Sequence, residues 1–250
     1  MATENILEIK NLNKSYNDSL GTENVISDMN LTVKEGDFLS ILGPSGCGKT
    51  TLIRCICGFE DYEGDIFVEG EKVTKPGIDR MMVFQSFDQL YPWKTVRGNI
   101  EFPLKKQGIK DKAELDRIVK KQLELIGLSG YEDHYPHQLS GGMKQRVAIA
   151  RGLALKPKII LMDEPFAALD AMTRNKLQRE LHKIAEKEHL TVIFITHNIQ
   201  EAIVLGTRVM LMSNHGEVKI DIENPIPKPV TPDSPGYGEL WRKFEDALEN

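Results

Sequence analysis

The chain has 250 residues, a net charge of -5 and a pI near 5.8, with 40% hydrophobic and 28% charged residues. That balance suits one globular α/β domain carrying an insertion and excludes a largely disordered or collagen-like chain. The acidic balance gives no general attraction to a polyanion, so nucleic acid is not an expected partner.

The N-terminus, Met1-Ala2-Thr3-Glu4-Asn5, lacks the basic region and apolar core of a secretory signal. From Ile6 to Leu42 short β-rich runs are broken by turn residues, ending in Phe38-Leu39-Ser40-Ile41-Leu42 and a glycine-rich loop. Leu52, Ile53 and Ile56 then recur at helical spacing as far as Gly58. Strands are expected at Ile66-Phe67-Val68 and Met81-Met82-Val83-Phe84. From about Ser86 to Leu155 the pattern turns helical, with Leu115, Ile118, Val119, Leu123 and Ile126 marking an apolar face, as in a helical subdomain inserted into an α/β core. Ile159 to Met162 and Val192 to Ile195 are continuous apolar runs fit for buried parallel strands, with a crossover helix expected over residues 171–187 between them. All these runs are far shorter than the roughly 20 residues that a membrane-spanning helix needs, so any membrane role must come through a partner. Residues 1–220 read as the main domain and 221–250 as a tail, with Pro225, Pro227, Pro229, Pro232 and Pro235 before a short helix near Leu240 to Ala247.

Three cysteines, Cys47, Cys55 and Cys57, cluster too tightly for a disulfide framework and are expected as reduced thiols. On a helix Cys55 and Cys57 point about 200° apart, so they do not pinch one metal. Cys47, at a helix N-terminus beside Lys49, is expected to favour the thiolate and to be the most readily alkylated of the three.

Gly43-Pro44-Ser45-Gly46-Cys47-Gly48-Lys49-Thr50, followed by Thr51, fits the phosphate-loop pattern in its required strand-to-helix context. Glycines let backbone N–H groups curl around an anion, Lys49 sets a cation beside the β- and γ-phosphates of ATP, and Thr50 offers a hydroxyl to Mg²⁺. Asp163-Glu164 follows directly on an apolar strand, which puts two carboxylates at the carboxyl end of the sheet. Asp163 is expected to hold Mg²⁺ through water, and Glu164 to orient the attacking water or accept its proton. Ser140, Gly141 and Gly142 open another helix, with Ser140 as a natural N-cap, and form a second anion-binding helix end. One chain rarely needs two such ends for one ATP, whereas a head-to-tail dimer sets each against the nucleotide held by the other subunit.

These segments, in this order over roughly residues 6 to 220, resemble the ATP-binding cassette (ABC) transporter subunits. The resemblance implies a P-loop NTPase core, a mixed sheet with an antiparallel β subdomain, and an α-helical subdomain over about residues 86–155. It implies that the Ser140 segment completes the site of the other cassette, in a homodimer or a pair of different cassettes. It also implies that Tyr16 stacks on adenine, Gln85 senses Mg²⁺ and the γ-phosphate, Asp170 passes information across the dimer, and His197 contacts the γ-phosphate. Two positions depart from the family pattern: Met143 stands where glutamine is usual, and Asn198 where aspartate is common.

Leu90-Tyr91-Pro92-Trp93-Lys94-Thr95-Val96 resembles a stretch of the importers for nitrate, sulfonates and taurine, in the region where a permease helix docks. An exposed Trp93 beside Tyr91 would suit a partner contact. The expected protein is an import ATPase, peripheral on the cytoplasmic face of the inner membrane, acting with permease subunits and indirectly with an extracytoplasmic solute-binding protein. The alternatives are the ATPase of an exporter or a soluble cassette protein outside transport.

Overall fold

The computed structural model describes residues 5–18, 21–167 and 169–249. Residues 1–4, which hold most of the N-terminal segment read above, and Ala168 lie outside the described residues. In chain order the elements are β1 (Asn5–Asp18), β2 (Gly21–Lys34), β3 (Phe38–Leu42), α1 (Lys49–Cys57), β4 (Glu63–Val68), β5 (Glu71–Lys72) and β6 (Arg80–Val83). Three helices follow, α2 (Val96–Lys106), α3 (Lys112–Leu125) and α4 (Gly141–Leu153). The chain closes with β7 (Ile159–Asp163), α5 (Ala171–Lys187), β8 (Thr191–Thr196), α6 (Ile199–Leu205), β9 (Arg208–Met212), β10 (Val218–Glu223) and α7 (Tyr237–Glu249).

Two sheets result. β2-β1-β4-β5 is antiparallel; β10-β9-β3-β8-β7-β6 is parallel apart from β10 at its edge. The sequence suggests short interrupted runs over the first 34 residues, whereas the structure has two 14-residue strands. The interrupting residues form irregularities within the ladder: Asn11 and Asp28 adopt φ of 48° and 47°, and Asn11 Nδ2 donates to Asp28 Oδ1 at 2.8 Å. Asn and Asp tolerate this left-handed backbone, so a turn signal marks a bulge here and not a strand end.

The parallel strands are mostly apolar because both faces are covered. Successive side chains alternate between faces. Leu39 and Ile41, Ile159 and Leu161, and Ile193 and Ile195 join α1 and the antiparallel sheet in one core. Phe38, Ile160, Met162, Val192 and Phe194 face a second core built with α2, α3, α4 and α5. On the side of α6 and α7, Leu42, Val209 and Leu211 meet Ile226, Val230, Leu240 and Phe244. The proline-rich segment is therefore packed down, and β10 continues through Glu223, past residue 220. β9, β10 and α6 had no assignment from the sequence. Among the described residues, no helix is long and apolar enough to cross a membrane.

Candidate functional site

Ligands in this architecture bind beyond the carboxyl ends of the parallel strands. The chain places its chemistry there: Gly43 follows β3, Asp163 ends β7, Thr196 ends β8, and Gln85 lies two residues past β6. A cleft of about 480 Å³ is lined by Ser45, Gly46, Gly48, Lys49, Thr50, Thr51, Gln85, Asp163, Glu164 and Val25. That volume lies within the range of small-molecule sites. Val25, on β2, is the lining residue that sequence reasoning missed; nothing sets it apart from other strand valines.

α1 begins at Lys49, and its N-cap, Gly48, takes φ of 101°, a backbone that favours glycine. A Cβ at Gly48 would also lie 2.9 Å from the Val25 carbonyl, so the loop curls against β2 as well as turning sharply. This geometry leaves the first amides of α1 without helix partners, the arrangement that suits a phosphate. Lys49 Nζ donates to the carbonyls of Gly43 and Pro44, each at 2.8 Å, so its cation is held inside the curl of the loop.

Across the cleft, Thr50 Oγ1 donates to Asp163 Oδ1 at 3.0 Å. Burial pushes the Asp163 carboxyl above its ordinary range, opposed by the Thr50 hydroxyl. A hydroxyl and a carboxylate side by side are hard oxygen donors of the kind Mg²⁺ takes, and Mg²⁺ needs few protein ligands because it keeps several waters and phosphate oxygens. Among the described residues there is no cluster of three or more His, Cys, Asp or Glu that could hold a metal by themselves. The pair therefore fits Mg²⁺ held jointly with a phosphate and does not resemble an all-protein cage.

Glu164 has a φ of 42°, a left-handed conformation that costs free energy in a residue with a side chain. Its N–H donates to the Ile195 carbonyl at 3.1 Å, fixing the turn against β8. The result sets the Glu164 carboxylate 3.0 Å from His197 Nδ1, which comes from the loop after β8. The buried Phe166 ring lies 5.6 Å from that of Phe194, tilted by 38°, and anchors the same turn in the core.

Other site residues stand apart within one chain. Ser140 caps α4, accepting from the Met143 N–H at 3.3 Å, and Gly142 packs so closely that an added Cβ would lie 2.9 Å from Thr173 Cγ2. Ser140, Gly141 and Gly142 do not line the phosphate-loop cleft. Asp170 caps α5, and the Thr173 hydroxyl and nearby amides hold its carboxyl below the usual range. Tyr16, near the end of β1, is partly exposed and also outside the cleft lining, with Lys14 Nζ 4.6 Å from its ring centroid. Asn198 keeps a capping role, its side chain accepting from the Glu201 N–H at 3.2 Å.

Cys47 corrects an expectation. Its thiol is fully buried, and burial raises its pKa more strongly than Lys49 lowers it. Cys55 and Cys57 are buried in the same core, and burial pushes each up to about 12. The positive field at Cys47 is present, but desolvation outweighs it.

Eight residues after Gln85 in the chain, Trp93 is 71% exposed. Its ring lies 5.7 Å from that of Tyr91, which meets Phe102 at 4.9 Å. Tyr91, Phe102, Pro103, Ile78 and Leu155 line an open, largely apolar groove of about 450 Å³.

Residues 26–167 match the family model described as ABC transporter. The aliphatic sulfonates import ATP-binding protein of Bacillus cereus is 42% identical over 245 residues, covering 97% of this chain and 96% of that protein. The nitrate import ATP-binding protein of Synechococcus elongatus is 44% identical over 233 residues, covering 90% of this chain but 35% of that longer protein. Among solved structures, a dimeric ATP-binding cassette in a post-hydrolysis state with ADP and Pi is similar with a TM-score of 0.74 at 33% identity, covering 87% of this chain and 98% of that one.

Proposed function

Because the chain belongs to the ABC transporter family, we propose that it is the ATP-binding and hydrolysing subunit of an importer for a small anionic solute of the sulfonate, nitrate or bicarbonate kind. The observation that carries the reading is one juxtaposition: the phosphate-loop cleft is walled by Asp163 and Glu164, and Glu164 touches His197 at 3.0 Å. Relatives named as import ATP-binding proteins for sulfonates and nitrate, with another named as a bicarbonate transport ATP-binding protein, support the importer over an exporter or a soluble cassette.

In this reading the amides of the loop and the N-terminus of α1 cradle the phosphates of ATP, and Lys49 exchanges its loop carbonyls for the β- and γ-phosphates. Thr50 and Asp163, with Gln85 at the rim, would hold Mg²⁺, which supplies charge neutralisation on the phosphate oxygens when bound. Glu164 orients the attacking water and accepts its proton. His197 holds that carboxylate in place and reaches the γ-phosphate. Tyr16 stacks on adenine.

Ser140, Gly141 and Gly142 sit outside the cleft, so they serve a second cassette that approaches head to tail, with Asp170 at the seam. The groove beside Trp93 receives a helix of a membrane-embedded permease at the cytoplasmic face of the membrane, in keeping with described residues that include no helix long and apolar enough to cross it. A solute-binding protein outside the membrane completes the system.

The test is hydrolysis by the purified chain. Glu164→Gln should bind ATP as the parent does and turn it over about 10²-fold or more slowly, the scale of losing a positioned base. Turnover near that of the parent would refute the role given to Glu164.

A further inference from the structure

Beneath the Glu164 and His197 pair lies a carboxylate that the chemistry above does not use. Glu201, on the first turn of α6, is only 5% exposed. Its Oε2 accepts from Thr196 Oγ1 at 2.6 Å, and the same hydroxyl accepts from the Asn198 N–H at 3.0 Å. Those two bonds bracket His197 in sequence and define the turn that presents it. The other oxygen, Oε1, accepts from Gln178 Nε2 of α5 at 3.2 Å and lies 3.6 Å from Arg174 Nε. Arg174 in turn donates from Nη2 to the Leu169 carbonyl at 2.9 Å, next to Asp170. A cavity of about 30 Å³ joins the layers, walled by Glu164, Arg174, Thr196, His197, Asn198 and Glu201.

Burying a carboxylate this deeply is costly unless it is paired and hydrogen-bonded. Burial indeed raises its pKa, countered by the Thr196 hydroxyl and the Arg174 charge. A packing role would be met at lower cost by an apolar residue. The partners are informative because each belongs to a different part of the site: one oxygen holds the His197 turn, and the other faces the side chain that holds the Asp170 turn.

We propose that Glu201 is a positioning residue for hydrolysis, locking the turn that carries His197 and, through Arg174, the turn that carries Asp170 into one unit. The proposal rests on the reading of Glu164 and His197 as hydrolytic residues. A seam between cassettes that moves Asp170 would then move His197 with it, and the Glu164 carboxylate would be set only when both turns are in register.

Glu201→Gln is nearly isosteric and removes the charge opposite Arg174. In the purified chain it should lower kcat about tenfold, the scale of one lost hydrogen bond to a charged group, with KM for ATP within about twofold of the parent. In histidine-labelled protein, the His197 resonance, assigned with His197→Ala, should shift while those of the other five histidines stay in place. If the variant does not fold, Thr196→Val, which puts a methyl in place of the hydroxyl that joins Glu201 to the His197 turn, tests that half of the proposal with the same two readouts. An unmoved His197 resonance, or an unchanged kcat, overturns the proposal. Glu164→Gln run in parallel separates the two ideas: full turnover there refutes the hydrolytic reading, whereas the His197 resonance reports on the positioning role without reference to activity.

Discussion

Cys47 shows how two effects of opposite sign compete at one residue. The N-terminus of α1 and Lys49 favour a thiolate, with Lys49 Nζ 3.8 Å from the sulfur, but a fully buried thiol loses its hydration. Burial wins, and the expected outcome is slow alkylation of all three cysteines in the folded chain at neutral pH, with rapid labelling only in denaturant. Mass spectrometry after a short maleimide pulse checks this; rapid labelling of Cys47 in the native protein would show that the loop opens. Glu164 makes the complementary point. Its place after an apolar strand was legible in the sequence, but its left-handed backbone and contact with His197 were not, because both depend on β7 and β8 lying side by side.

At the scale of elements, legibility follows the reach of the interaction. Ile159 to Met162 and Val192 to Ile195 announce themselves because strands covered on both faces must be apolar throughout. Glu201 was invisible for the opposite reason: a charged residue three positions after Asn198 reads as the solvated first turn of a helix, and only Thr196, Arg174 and Gln178 reveal its burial. The tail reads as extended because of its prolines, yet its apolar residues between them, Ile226 and Val230, pin it to the sheet. Lys228 ties this segment to α6, donating to the carbonyls of Ile203 at 3.2 Å and Val204 at 2.7 Å. Burial pulls its pKa down to about 7, below the ordinary lysine value of about 10.4. Between those values the unfolded chain retains a proton that the folded chain has released, so the contribution of Lys228 to stability rises with pH above about 7 and is flat below it. Relative to Lys228→Met, the parent should therefore gain up to about 1 kcal/mol per pH unit from about pH 7 to about pH 9 in urea unfolding. A difference independent of pH would show that the ammonium stays charged against its carbonyls.

At the scale of the whole molecule, the proposed function assigns a partner to the groove beside Trp93 and to the capped N-terminus of α4. Trp93→Ala should leave ATP binding by the free chain unchanged and weaken assembly with the permease by about 2 kcal/mol or more, as for a buried aromatic anchor. Pull-down from native membranes measures this, and undiminished assembly would make Trp93 a bystander.

The second face bears on the central claim, that the nucleotide site is completed by another cassette. The most direct measurement uses two variants, Lys49→Ala and Ser140→Arg, each also carrying Glu164→Gln so that bound ATP is retained. Each homodimer spoils both of its sites, but a mixed dimer keeps one site with Lys49 from one chain and Ser140 from the other. Mixing the two should restore ATP retention, at up to one nucleotide per mixed dimer. Retention equal to the average of the two separate homodimers would contradict a shared site.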